Sequence, residues 1–313
     1  MRAPLKMFAD HGSETINQAV VLRAVLFMIL SALCFAVVEF TGAHLVQGID
    51  PLQIVWTRYA VHLLFMIVVL MPRYKTTLVR TSRLPLQIIR SLTMLGMPVC
   101  FLLAVRNMPV NNVWSLQWLS PVLMLALSTW VLREPASPRQ WITVGLGFGA
   151  MLLIHHVDGG VLSPAALLAV GMGLCLSLHL MLSRVLRTDH PLTSLFHTAL
   201  WVFIALGFVV PFLWASPSPL SLLGMIIIGL VGALGLFALA QSGELVPLPV
   251  VAAFAYTEAL WTLLLNLLVF GVLPGKLALI GAAAIFAIML YQFFFEYRRP
   301  ALSPALSHTG LET

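Results

Sequence analysis

Apolar residues along this chain come in continuous runs of about twenty, the length a helix needs to cross a bilayer core. A closed barrel would instead alternate polar and apolar positions in segments of about ten. Backbone groups in lipid have no water to bond to, so each run is predicted to be a helix. The pattern places spans at 22–46, 52–71, 85–105, 109–132, 140–155, 164–184, 193–214, 220–241, 247–271 and 277–297. The connections between them are too short for a soluble domain. The expected fold is an all-α integral membrane protein with ten transmembrane helices.

The two halves of the chain resemble each other. "DPLQIVWTRYAVHLL" (50–64) aligns with "HPLTSLFHTALWVFI" (190–204) without gaps, and "NMPVNNVWSLQWLSP" (107–121) lies on "ELVPLPVVAAFAYTEA" (244–259), matching Pro109 to Pro247. Each half holds five predicted spans, an odd number, so the halves must run in opposite directions through the bilayer. The expected organisation is a tail at 1–21, a first repeat at 22–155, an inverted second repeat at 164–297 and a tail at 298–313. Inverted repeats are typical of secondary transporters, whose site lies near the midplane between them.

Composition agrees with the pattern. The 313 residues are 60% hydrophobic and 9% charged, against roughly 25% charged in soluble domains. The isoelectric point near 9.7 raises the question of nucleic acid, and the placement of the charges answers it. Fourteen of the 17 Lys and Arg residues fall on the side of the N-terminus, Arg90 counted among them. Only Arg106 and Lys276 fall opposite, and Arg58 lies inside a span. This is positive-inside topology with both termini cytoplasmic, and no nucleic-acid partner is expected. The three cysteines lie in apolar runs without metal-ligand spacing, so inert thiols are expected and no metal site. "HHVD" (155–158) sets two histidines side by side, which on a helix point apart, so a surface loop is expected there.

An intramembrane charge costs about 2.5–3.5 kcal/mol on insertion scales, so such residues usually face a partner, a cavity or water. Glu39, Arg58 and Glu258 stand out. Glu39 and Arg58 are expected at similar depth on the first two helices, either as a structural ion pair or as a cation or proton site that Arg58 tunes. Glu258, Thr262 and Asn266 recur every four residues, with Trp261 beside them, and share one helix face. That stripe favours a solute cavity. The alternative for Glu258 is a protonated acid bonded to a neighbouring helix.

Glu39 matches His179 under a 140-residue offset, which points both toward the centre. His179 is therefore a candidate solute contact or a packing residue. Asn111, Trp114, Ser115 and Trp118 share a face whose aromatics suit planar or cationic solutes. Trp118 matches Tyr256 under a 138-residue offset, as paired cavity walls would. Pro98, Pro121 and Pro211 are candidate kinks. "GLGFGA" (145–150) and "GLVGALG" (229–235) are read as helix-packing surfaces. Arg133 and Glu134 close the fourth span, as a gate or as a solvated loop pair.

Three stretches carry a family resemblance: "WTRYAVHLL" (56–64), "FLLAVRNMPVNNVWSLQWLSPVLMLALSTWVLREP" (101–135) and "LVPLPVVAAFAYTEALWTLLLNLLVFGVLP" (245–274). In order and spacing they resemble the ten-helix EamA branch of the drug/metabolite transporter superfamily over residues 22–297. The family's glutamate after Phe-Gly in the ninth helix is replaced here by Val272. The resemblance implies a multi-pass protein of a bacterial cytoplasmic (inner) membrane, monomeric or homodimeric. It implies no cofactor, and a small polar or amphipathic solute: an amino acid, an amine or a nucleotide- or cofactor-like metabolite. The implied mechanism is alternating access without ATP, with proton coupling as an option. The short stretch "YTEALW" looks like the subgroup that includes riboflavin and S-adenosylmethionine carriers, a likeness too brief to fix the solute. An intramembrane enzyme would need a nucleophile–base or metal cluster, and neither H-E-x-x-H nor G-x-S-x-G occurs. A passive channel would show polar rings or filter loops, which the sequence lacks.

Overall fold

The computed structural model describes residues 18–46, 48–155, 163–271 and 273–297, and these residues form helices and their connections without a strand. Helix α1 (Gln18–Leu45) is followed by α2 (Pro51–Phe65), which continues through a π-turn at Met66–Leu70 into α3 (Met71–Tyr74). Then come α4 (Leu84–Val105), α5 (Val110–Gln117), α6 (Ser120–Trp130), α7 (Pro138–Ile154) and α8 (Ala166–Val185). The last elements are α9 (Pro191–Gly207), α10 (Pro219–Leu245), α11 (Leu248–Val251), α12 (Thr257–Phe270) and α13 (Lys276–Tyr297), with a 3-10 turn at Ala252–Tyr256 joining α11 to α12. Seven of these stretches are long and apolar enough to cross a membrane, and α9 is a shorter apolar helix. The protein is thus a multi-pass integral membrane protein. Residues 1–17 of the expected N-terminal tail, the tail at 298–313, Val272 and "HVD" of the histidine motif lie outside the described residues.

Local chemistry sets the helix ends. Asp50 and His190 occupy equivalent places in the aligned stretches, and both do the same work. Each precedes a proline at the first helical position, and each side chain accepts the backbone N–H two residues on, from Leu52 and Leu192. Pro109 and Pro247 likewise take the N-cap position of α5 and α11 with nearly identical backbone angles, φ −56° and ψ 139° against φ −56° and ψ 141°. Pro121 separates α5 from α6. It has no N–H to give, and its ring would meet the carbonyl of Gln117, where α5 stops. Helix α9 ends at Gly207, short of the expected 214, because the chain turns through a 3-10 step at Val210–Phe212 that contains Pro211.

Packing pairs α1 with α10, α4 with α8, and α7 with α13 as the most extensive contacts, followed by α2 with α10 and α6 with α8. The "GLVGALG" stretch works as a packing surface. A Cβ added to Gly229 would lie 2.6 Å from the Val61 Cβ, and one added to Gly235 would lie 2.9 Å from the Cys34 Cβ. The backbone of α10 therefore touches α2 and α1 at distances no larger residue allows. In "GLGFGA" only Gly147 is so confined, against the Tyr256 ring, while Gly145 and Gly149 face open space. The outer surface is strongly apolar, with Phe212 86%, Leu167 76% and Leu268 71% exposed, as suits contact with lipid.

One sequence expectation changes here. Arg90, counted among the cytoplasmic charges, is 1% exposed inside α4. Its Nε donates to the Ser183 hydroxyl at 2.6 Å, and its Nη1 donates to the Ser194 carbonyl at 2.8 Å and the Thr198 hydroxyl at 2.9 Å. It ties α4 to α8 and α9. The three cysteines are free thiols, Cys100 on α4 and Cys175 on α8.

Candidate functional site

Two interruptions in the helices face each other at the centre of the bundle. The first lies between α5 and α6, the second at the 3-10 turn before α12. Breaks free backbone groups, and in a membrane interior these need partners. The Ser177 hydroxyl, on α8, donates to the Ser120 carbonyl at 2.9 Å. The Tyr256 hydroxyl donates to the Val144 carbonyl on α7 at 3.1 Å. Trp118 and Tyr256, the residues at the two breaks, are in ring contact with centroids 6.2 Å apart.

Between the breaks is a cavity of about 40 Å³. Its walls include Ser31 and Phe35 from α1, Trp118 and Ser120 at the first break, Ser177 from α8, and Glu258 from α12. That volume holds a few waters and is far below the roughly 300–1,000 Å³ of a metabolite pocket. In this conformation the cavity is too small for a metabolite. The Ser31 hydroxyl is buried and has no partner among the described residues.

Glu258 is 8% exposed at the start of α12, and its carboxyl group lies beside that of Glu39 on α1. Two carboxylates side by side repel each other, and a proton on one removes that repulsion. The sequence offered Arg58 as the partner of Glu39. In the structure Arg58 is close enough to attract Glu39 electrostatically, yet no ion pair joins Arg58 to a carboxylate among the described residues. Its guanidinium instead lies over the rings of Phe35 and Tyr59, 5.9 and 5.4 Å from their centroids.

One end of the bundle is clasped by charge. The Arg184 Nε donates to Glu134 at 2.7 Å, and its Nη1 donates to the carbonyls of Gly243 and Glu244 at 2.7 and 2.9 Å. The other Glu134 oxygen accepts from the Ser128 hydroxyl and from the Leu248 N–H, at the start of α11. A carboxylate at a helix start is favoured by the free N–H groups there. The Glu134 side chain is only 16% exposed and its partner is Arg184, so the reading of Arg133 and Glu134 as a solvated pair is replaced by a link between α6, α8, α10 and α11.

The other sequence candidates lie away from the cavity wall. His179 is buried, with Nδ1 3.2 Å from the Arg90 carbonyl and 3.5 Å from the Thr93 hydroxyl. Asn111 is exposed at the start of α5. Trp114 stacks at a tilt on Phe101, 5.1 Å between centroids, in a satellite apolar cluster. Thr262 and Asn266 turn back on their own helix, donating to the carbonyls of Glu258 and Thr262 at 3.0 and 2.8 Å. Trp261 is half-buried with its indole N–H unpartnered among the described residues. The sequence reading missed Arg90, Ser31, Ser177 and Arg184. The two arginines had a signal, since each lies at or inside the end of an apolar run, and the serines had none.

The profile of the EamA-like transporter family matches residues 22–155. Full-length relatives are similar at low identity. The S-adenosylmethionine uptake transporter of Rickettsia prowazekii (strain Madrid E) is 19% identical over 88% of this chain and 94% of its own length. The protein of the same name from Rickettsia conorii (strain ATCC VR-613 / Malish 7) is 22% identical over 74% of this chain and 80% of its own. A crystal structure at 14% identity superposes with a TM-score of 0.74 over 90% of this chain and 99% of its own, a likeness of fold. Over residues 22–155 the chain is thus similar to the EamA-like transporter family.

Proposed function

We propose that this protein is a secondary transporter that carries a small cationic or zwitterionic metabolite of the S-adenosylmethionine kind across a bacterial cytoplasmic membrane. The observation that carries this reading is the Glu39–Glu258 carboxyl pair, at a cavity walled by two aromatic residues where two helices break. A carboxylate attracts a cation, and aromatic faces add cation–π attraction. The uptake transporters of S-adenosylmethionine named above handle a solute with such a cation.

Alternating access between two inverted five-helix halves is the proposed mechanism, with both termini cytoplasmic. Ten spans follow if α5 with α6, α7 and α9 also cross. Pseudo-symmetry is supported by the matched caps at Asp50 and His190, by Pro109 and Pro247, and by the meeting of Trp118 with its counterpart Tyr256. Contact between two counterparts is what a two-fold axis passing between them produces. The Glu134–Arg184 clasp is the contact that opens on one side when the site is exposed there. A cation entering between the two carboxyls displaces the proton on one of them to water, so that a solute charge enters as a proton leaves.

Thermal unfolding of the purified protein tests the site. A bound solute stabilises the folded state as its concentration exceeds Kd. S-adenosylmethionine is expected to raise Tm, and Glu258→Gln is expected to fold with a similar Tm but to show no rise. A rise of the same size in the folded variant would remove Glu258 from the site.

A further inference from the structure

Arg58 lies on α2 at the Glu39 end of the site, and its guanidinium is held without being bonded. Its guanidinium carbon lies over the rings of Phe35 and Tyr59. Gly232 takes one edge, where an added Cβ would lie 2.7 Å from Nε and 3.0 Å from Nη2. None of these neighbours accepts a hydrogen bond. Among the described residues its side chain makes no hydrogen bond and no ion pair, and it is partly exposed rather than sealed. A guanidinium offers five N–H donors in a planar fork that fits a carboxylate through two parallel bonds. A charge at this depth is costly unless it meets a partner. These contacts hold Arg58 in place and leave its donors free.

We infer that Arg58 receives the carboxylate of a zwitterionic solute whose cationic group is taken by Glu39 and Glu258. This inference rests on the transporter reading and narrows it to solutes with an amino-acid-like head. The placement suits such a solute, because Arg58 lies over Phe35, a wall of the cavity that Glu258 also lines, and forms no ion pair with either acid among the described residues. A zwitterion satisfies the guanidinium and the acids together. A simple cation leaves Arg58 unbonded, and a simple anion meets the repulsion of two acidic groups.

The test uses the full chain in proteoliposomes, with labelled S-adenosylmethionine as probe and decarboxylated S-adenosylmethionine as competitor. The competitor keeps the sulfonium and amine but lacks the carboxylate. Wild type is expected to bind it at least about tenfold more weakly than the parent compound, the worth of a charge-assisted pair. In Arg58→Gln the parent compound is expected to weaken to the level of the competitor, and the competitor to be unchanged. Arg58→Lys, which keeps charge without the fork, is expected to fall between. Equal competition by the two compounds in wild type would overturn the role of Arg58 and leave the transporter reading intact, and this comparison needs no variant to fold. Equal weakening of both compounds in Arg58→Gln would make Arg58 structural. Absence of both uptake and competition in wild type would overturn the two readings together.

Discussion

Arg58 and Arg90 both bring a guanidinium into an apolar helix bundle, and the structure treats them in opposite ways. Arg90 is sealed and bonded to two hydroxyls and a carbonyl from α8 and α9. Arg58 is partly exposed, gripped by two rings and a glycine, and bonded to nothing among the described residues. A buried charge bonded to groups on two neighbouring helices is a cross-link between them. A charge held by rings and with its donors free is ready for a ligand. Residue type and depth are alike, so the difference lies in what surrounds each one.

The largest effect expected from this contrast is on stability. Arg90→Met removes three hydrogen bonds to a charged group and leaves their acceptors buried. It is expected to cost roughly 3 kcal/mol or more. Arg58→Gln gives up only ring contacts and is expected to cost about 1 kcal/mol. Unfolding of the two variants in detergent, side by side, checks this. Equal losses would erase the distinction.

A smaller effect sharpens it. Gly232→Ala puts a methyl group where the Arg58 guanidinium now rests, so the guanidinium must shift by a few tenths of an ångström or more. Affinity for S-adenosylmethionine is expected to fall by about 1 kcal/mol with the fold retained, because a shifted fork loses alignment with the solute. Unchanged affinity in a titration would mean that the position of the guanidinium does not matter.

Much of the fold was legible because local rules act locally. Pro121 announced the break after Gln117, and the 138-residue offset paired Trp118 with Tyr256, whose rings are in contact. The centre of the site was less legible. Glu39 and Glu258 lie on α1 and α12, and nothing in either neighbourhood encodes that their carboxyls meet. Thr262 and Asn266 showed the period of a cavity-lining stripe. A polar side chain in a membrane helix has a second solution, however, which is to bond a carbonyl one turn back, and both take it. Arg90 looked like a flanking loop charge because it lies within two turns of the start of α4, and only the hydroxyls of α8 and α9 reveal it as interior.

Uptake of labelled S-adenosylmethionine into proteoliposomes, comparing wild type with Glu258→Gln, tests the central claim most directly. The account predicts saturable, competable uptake by wild type and none by a variant that still unfolds cooperatively at a similar temperature. Uptake by Glu258→Gln at the wild-type rate would contradict it.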